Sequence, residues 1–311
     1  MSEHDSVYDG LSGHDAPGDD SQWAFGTDFE DPLAGVDTTI PDGVDPAVLA
    51  TYCLMLGDDA LVHSHRLSQW TSRAPDLEDD IALANIALDL LGQARLLLAR
   101  AAAADPAVVP VLPEGSPVPP EDALAFFRDT ADFRNLRFLE PENGDFAETT
   151  LRLLVGAAHR LALLQRLATS RDPVLSAIAV KGVKEVTYHR DYAGRWVVTL
   201  AQGTAESRRR VVTALPRVWR HHAELFRSHP VEVAAAASGV GVDPATVEGE
   251  VGAVLDQVLA VAGLERPDVP AAGPMPGGGH GMGRDGRHTE LLSRLLAEMQ
   301  SVARAHPRGL W

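Results

Sequence analysis

The segment 75–104 constrains the fold more than any other, because apolar side chains cover most of its circumference when it is drawn as a helix. It begins at Ala74-Pro75-Asp76, a pattern typical of a helix start. Its apolar positions are Ile81, Leu83, Ala84, Ile86, Ala87, Leu88, Leu90 and Leu91. A helix that is apolar on so many sides must be covered by several neighbours. The segment therefore predicts the centre of a helical bundle.

Three further segments have a similar length and a comparable apolar content. They are 46–70, 145–170 and 172–201, and two of them open with an Asp-Pro pair at Asp45 and Asp172. The long excursion between the second and third helices is typical of the ferritin-like crossover. Shorter helices are expected at 121–128, 133–139, 204–227, from 243 onwards and at 288–306. With no fixed repeat period in the sequence, a helical repeat array is disfavoured. We expect an all-α, ferritin-like four-helix bundle with additional C-terminal helices.

The net charge of −17 is unevenly distributed along the chain. Twelve acidic residues and no Lys or Arg lie within 1–45, so the rest of the chain has 32 acidic against 27 basic residues. An acidic segment rich in Gly, Ser and Pro buries too little apolar surface to fold. We expect 1–44 to be a disordered acidic tail and 45–311 to be the ferritin-like helical domain. Within that domain, 107–120 is predicted as a Pro/Val loop and 266–286 as a Pro/Gly loop.

Several function classes are disfavoured by composition. A single cysteine, Cys53, permits neither an internal disulfide nor a Cys-based zinc or iron–sulfur site. No basic stripe suited to nucleic acid is present, since Arg208–Arg210 is typical of a solvated helix start. We found neither a secretory signal nor an apolar run near the ~20 residues that span a bilayer. We expect a soluble cytoplasmic protein that binds neither nucleic acid nor membrane.

The residues 281–286 spell G-x-G-x-x-G before a predicted helix. A dinucleotide site requires this motif directly after a strand within a βαβ unit. Here a Pro/Gly loop precedes it, so we interpret the motif as a flexible connector.

A ferritin-like di-metal site takes one Glu from each of two helices and a Glu-x-x-His from each of the other two. The candidate acids are Asp89 in the second helix and Glu185 in the fourth. Three residues further on stand Gly92 and Tyr188, where histidines would be expected, and His189 follows one residue late. These three residues, Asp89, Glu185 and His189, are therefore interpreted as relict positions of a di-metal site.

The third helix makes a metal site still less favoured, because 151–164 contains no carboxylate and His159 is its one possible metal ligand. Two interpretations of the acids remain open. They could pair with neighbours such as Arg95 or Lys184, or share a proton. Alternatively, they could ligate metal with His189 in an unorthodox set. The other histidines of the chain are more typical of surface or satisfied core positions: His63, His65, His221 and His222.

Several blocks of the sequence resemble one family, the C subunits of phenylacetyl-CoA epoxidase (ring 1,2-phenylacetyl-CoA monooxygenase). The similarity covers about residues 50–311, in order, and leaves out the acidic tail and the insertion at 107–120. The blocks that carry it are 56–62, 64–70, 82–95, 170–173, 184–189, 288–290 and 296–300, with Trp311.

The resemblance implies a subunit of an oxygenase complex that acts in aerobic phenylacetate degradation, without an active site or bound cofactor of its own. It implies a homologous catalytic A subunit that carries a di-iron centre. It also implies a small bridging subunit and a reductase that uses NADPH, flavin and an iron–sulfur cluster. The resemblance further implies a structural role for this chain, which agrees with the incomplete Glu-x-x-His motifs.

Overall fold

The computed structural model describes Leu33 and residues 35–271 and 282–309. Within these ranges the chain forms ten α-helices and no β-strand, which confirms the all-α prediction. The helices are α1 Pro46–Ser68, α2 Leu77–Ala104, α3 Pro120–Phe126, α4 Phe146–Leu167, α5 Pro173–Gln202, α6 Ala205–Trp219, α7 Pro230–Ala237, α8 Glu248–Val261, α9 Glu290–Met299 and α10 Ser301–Ala305.

The four long helices α1, α2, α4 and α5 form the bundle. Each begins directly after an aspartate whose side chain accepts a backbone N–H of the first turn, namely Asp45, Asp76, Asp145 and Asp172. Such N-caps satisfy donors that the helix itself leaves free. Helices α1 and α2 pack against each other, as do α4 and α5, and α2 lies beside α5. The segment 105–145 then crosses from α2 to α4, as in ferritin-like folds.

The segment 133–139 was expected to be a helix, but only Arg137–Leu139 forms a short 3-10 turn. The reason lies in α1. Asp58 accepts the backbone N–H of Arg134 at 2.8 Å, and Asp59 accepts that of Leu136 at 2.8 Å. These backbone donors are therefore used by carboxylates of another helix and not by a local helical turn.

The C-terminal helices also differ from the sequence prediction. The helix expected at 204–227 ends at Trp219, and a 3-10 turn at His222–Phe226 replaces its last part. Helix α7 was not expected at all. The helix expected at 288–306 is divided between α9 and α10 at Gln300, whose buried side chain donates to the carbonyl oxygens of Ala125 and Arg128 at 3.1 Å each. A tertiary contact, that of Gln300, coincides with the last of these boundaries.

The predicted tail 1–44 lies partly outside the described residues, which begin at Leu33. Its last part does not match the expectation of disorder. Val36 and Ile40 pack against the core, and Arg100 donates a hydrogen bond to the carbonyl oxygen of Thr38 at 2.7 Å. Arg171 donates to the carbonyl oxygen of Asp42 at 3.1 Å. The segment 35–44 therefore belongs to the folded body, because apolar side chains and two arginines hold it there.

Deleting residues 1–40 should lower the free energy of unfolding by about 1–3 kcal/mol, because the buried Arg100 loses one of its two acceptors and the apolar side chains of Leu33, Val36 and Ile40 are removed. Thermal or urea unfolding measures the effect. Deleting only residues 1–32 is the matched control, and we expect it to leave stability unchanged, since that segment is acidic and poor in apolar residues. Equal stability of the two truncated proteins would show that 33–40 contributes nothing.

Helix α2 is, within the described residues, the one helix long and apolar enough to cross a membrane by length and composition alone. Core helices of soluble proteins pass the same test, and α2 packs between α1 and α5. Its outer side nevertheless remains uncovered, with Leu77, Ile81, Leu88 and Leu91 between 41% and 69% exposed.

Candidate functional site

Asp89 and His189 form a pair between α2 and α5. The Asp89 Oδ2 atom lies 2.9 Å from His189 Nε2. His189 is buried, whereas the Asp89 side chain remains 36% exposed. The pair therefore lies at the outer edge of the bundle, where an imidazole from one helix meets a carboxylate that also contacts solvent.

Glu185 lies in a separate set of contacts. Its Oε2 atom accepts a hydrogen bond from Gln93 Nε2 at 2.7 Å, and Lys181, one turn earlier in α5, is 3.6 Å from its Oε1 atom. The neighbours suggested by the sequence, Arg95 and Lys184, are not its partners. Arg95 instead forms an ion pair with Glu121 at 3.6 Å. The two candidate acids are thus held by different groups.

Gly92 and Tyr188 do not occupy the positions where inward histidines would stand. Gly92 faces open space, and Tyr188 is 46% exposed. On a helix, the residue three positions after Asp89 lies about 60° away from it in one direction around the axis. The residue four positions after Asp89 lies about 40° away in the opposite direction, which we call forward. Because the core lies on the forward side, the inward residues are Gln93 and His189. In both helices the inward residue is thus four positions after the candidate acid, not three.

Arg160 of α4 is the central residue that sequence reasoning missed. Its Nε donates to Gln93 Oε1 at 2.8 Å, and its Nη1 donates to the carbonyl oxygen of Leu56 at 3.2 Å. Burial lowers the pKa of Arg160 to about 10, while the carboxylates of Asp59 and Glu185 act in the opposite direction. The guanidinium of α4 thus stays charged near pH 7 and connects to α1 through Leu56, to α2 through Gln93 and, through Gln93, to Glu185 of α5.

Two buried histidines, His63 and His159, lie close to this guanidinium. Burial, with smaller contributions from nearby positive groups such as Arg160, lowers the pKa of each to about 3. Both imidazoles are therefore neutral at pH 7. Each lines a cavity of about 30 Å³ together with Asp59 and Arg160.

These residues do not fit a di-metal centre. A guanidinium stands among the polar groups of the bundle centre, Glu185 is engaged by Gln93 and Lys181, and Asp89 with His189 lies apart from both. A metal ion bound here would either have to displace the guanidinium of Arg160 or bind close to its positive charge, which repels it. Across the part of the chain that the structure describes, no group of three or more His, Cys, Asp and Glu side chains is placed to hold a metal.

The adjacent acids of α1 hold two buried ion pairs. Asp58 accepts hydrogen bonds from Arg128 in the crossover segment, and Arg128 also stacks over Phe133 at 4.3 Å. Asp59 accepts from Arg284 Nη2 at 2.8 Å. Two neighbouring acids inside an apolar helix could have indicated such pairs, but the sequence did not show which arginines would reach them.

Arg284 belongs to the G-x-G-x-x-G segment, whose interpretation as a flexible connector does not hold for residues 282–286. The Arg284 guanidinium is 2% exposed and also lies 3.3 Å from the Glu232 carboxylate in α7. A side chain at Gly283 would collide with the carbonyl oxygen of Asn135, and Gly286 has φ of +73°. The glycines therefore allow close packing against the crossover segment, while Gly281 lies outside the described residues.

The start of α9 is held by a further set of polar contacts. The buried Glu140 carboxylate lies 2.7 Å from His288 Nδ1 and accepts hydrogen bonds from the backbone N–H and the hydroxyl of Thr289, each at 2.7 Å. The C-terminal segment is thus fixed to the crossover by polar contacts. It covers one side of the bundle.

Fold and site together define a ferritin-like helical protein whose bundle centre holds a guanidinium network. The chain belongs to the family of phenylacetic acid catabolic proteins, which it matches over residues 37–311. It is 40% identical over 267 residues to the C subunit of 1,2-phenylacetyl-CoA epoxidase from Escherichia coli (strain K12). The match covers 85% of this chain and 99% of that protein. The resemblance inferred from the sequence is thereby confirmed.

Proposed function

We propose that the chain is a non-catalytic, stabilising subunit of a multicomponent phenylacetyl-CoA epoxidase in aerobic phenylacetate degradation. The observation that carries this proposal is the position of Arg160, whose charge joins Gln93 and Glu185 in the centre of the bundle. The similar protein of E. coli is itself named as a subunit of such an epoxidase. A scaffold requires a rigid bundle, and this network connects its helices.

The alternative is a ferritin-like metalloenzyme that uses Asp89, Glu185 and His189 as ligands. The observation in its favour is the pair of Asp89 and His189, a carboxylate and an imidazole 2.9 Å apart at a partly exposed position. Against it stands Glu185, which is held by other groups.

Iron analysis separates the two functions. The purified chain, incubated with ferrous iron and desalted, should retain far less than one iron per chain, because no complete ligand set competes with the internal pairs. Elemental analysis measures this, with Asp89→Ala as the matched control that should give the same low value. Two irons per chain, retained in the wild-type protein and lost in Asp89→Ala, would establish the metalloenzyme instead.

The surface formed by α2 and α5 supports a role in an assembly. Helix α2 exposes Leu77, Ile81, Leu88 and Leu91 along one side, and α5 adds Tyr188, which is 46% exposed. The two helices lie side by side, as the contacts between Asp89 and His189 and between Gln93 and Glu185 require. We call these five residues the α2–α5 face. Apolar side chains grouped in this way are typical of protein–protein contacts.

We assign the α2–α5 face to the homologous catalytic subunit of the complex. That subunit would supply the di-iron centre, and a small bridging subunit and a reductase carrying flavin and an iron–sulfur cluster would deliver electrons from NADPH. The complex would reside in the cytoplasm, with which the single, buried and unpaired Cys53 is compatible.

A further inference from the structure

We propose that the cavity in the centre of the bundle is a binding site for one tightly held water molecule, bridging Arg160 and His159. This inference does not depend on the proposed function. The centre of a water-sized sphere can move within about 30 Å³ of this cavity, so the cavity is large enough for a water molecule. Its polar lining comes from Asp59, His63, His159 and Arg160, so the cavity is not a dry apolar void.

Two of the residues that line this cavity each have one buried side-chain atom without a hydrogen-bond partner among the protein atoms. These atoms are Arg160 Nη2 and His159 Nε2. The other such atoms in the described residues belong to residues that do not line the cavity, namely Arg66, Asp79, Asp80, Arg100, Asn135 and Arg284. Buried polar atoms are nearly always paired with protein or with ordered water. The cavity therefore brings together two groups that both require a partner.

The chemistry of the two atoms selects water. The guanidinium Nη2 can only donate a hydrogen bond. His159 is neutral, because burial lowers its pKa to about 3. Its Nε2 atom donates or accepts a hydrogen bond, depending on which ring nitrogen carries the proton. Water can accept from the guanidinium and can meet His159 Nε2 in either role, because it both donates and accepts.

Ions fit the same site poorly. A halide would suit Arg160 but would face the carboxylate of Asp59, which also lines the cavity. A metal cation would suit His159 and Asp59 but would be repelled by the positive charge of the Arg160 guanidinium. Water also finds further partners there, since Asp59 and His63 bring its possible contacts to the three or four that buried waters typically make.

A crystal structure of the full chain at about 1.6 Å resolution or better tests the proposal. We expect one density peak at hydrogen-bond distance, about 2.6–3.2 Å, from both Arg160 Nη2 and His159 Nε2. Crystals soaked in bromide should show no anomalous signal at that position. A cavity without density overturns the proposal, as does a bromide or metal peak in place of water.

Two variants make the test specific to His159. In His159→Phe, which removes the polar ring nitrogens, the peak should fall from near full occupancy to undetectable. In His159→Gln, whose side-chain amide can both donate and accept, the peak should remain. An unchanged peak in His159→Phe would show that His159 does not bind the water. If that variant fails to fold, the wild-type and His159→Gln structures still decide the proposal.

Discussion

Replacing Arg284 by methionine is expected to lower the free energy of unfolding by about 3–5 kcal/mol, the range for breaking a buried ion pair by removing one partner. Burial by itself would lower the pKa of Arg284, but the carboxylates of Asp59 and Glu232 raise it above its usual range. Without the guanidinium both carboxylates stay buried and uncompensated. The carbonyl oxygens of Met55 and Arg134, which accept from Arg284 at 3.0 and 2.7 Å, also lose their donor.

Urea or thermal unfolding of the purified chain measures this loss. Methionine retains most of the aliphatic volume of arginine, so the change reports the charge and its hydrogen bonds. Arg287→Met, three residues further on and exposed, is the matched control and should change stability by less than about 0.5 kcal/mol. Equal stability of Arg284→Met and Arg287→Met would mean that the buried pair contributes nothing.

Replacing Leu88 by arginine should weaken the complex with the catalytic subunit at least ~30-fold, which corresponds to about 2 kcal/mol. Leu88 is 62% exposed and lies in the middle of the exposed stripe on α2. An arginine there would put an unpaired charge into an apolar contact, while the isolated chain keeps the side chain in solvent and should unfold as the wild type does. Titration of the labelled chain with the catalytic subunit gives the dissociation constant.

Val233→Arg on α7 is the control, because Val233 is also exposed, at 46%, but lies outside the α2–α5 face. It should bind like the wild type. If Leu88→Arg folds normally and binds with unchanged affinity, the face is not where the catalytic subunit docks.

The bundle could be predicted from the sequence because its signals are local. Aspartate N-caps at Asp45, Asp76 and Asp172 lie beside long apolar segments, and these fix where three of the four long helices begin. The boundaries that failed are those set by distant residues. The stretch 133–139 is not helical because Asp58 and Asp59 take its backbone donors, and α9 and α10 separate where Gln300 reaches the crossover segment.

The candidate site was harder to predict. The acids Asp89 and Glu185 are inside or at the edge of the bundle, but their partners, His189 and Gln93, come from the facing helix. Spacing along one helix cannot show such pairs. The one signal available was Arg160, an arginine inside the apolar segment 151–164 that required burial or a partner. The same logic applies to Asp58 and Asp59 in α1.

The central claim, that this chain stabilises an epoxidase without taking part in its chemistry, is tested most directly by turnover per assembled complex. Asp89→Ala leaves His189 without its partner and Glu185→Ala removes the acceptor of Gln93, so each should cost roughly 1–3 kcal/mol of stability or some complex yield. We predict that the complex that does assemble turns over phenylacetyl-CoA at the wild-type rate, normalised to the iron of the catalytic subunit. A collapse of that rate, with stability and assembly at wild-type levels, would contradict the account and place this chain in the catalytic machinery.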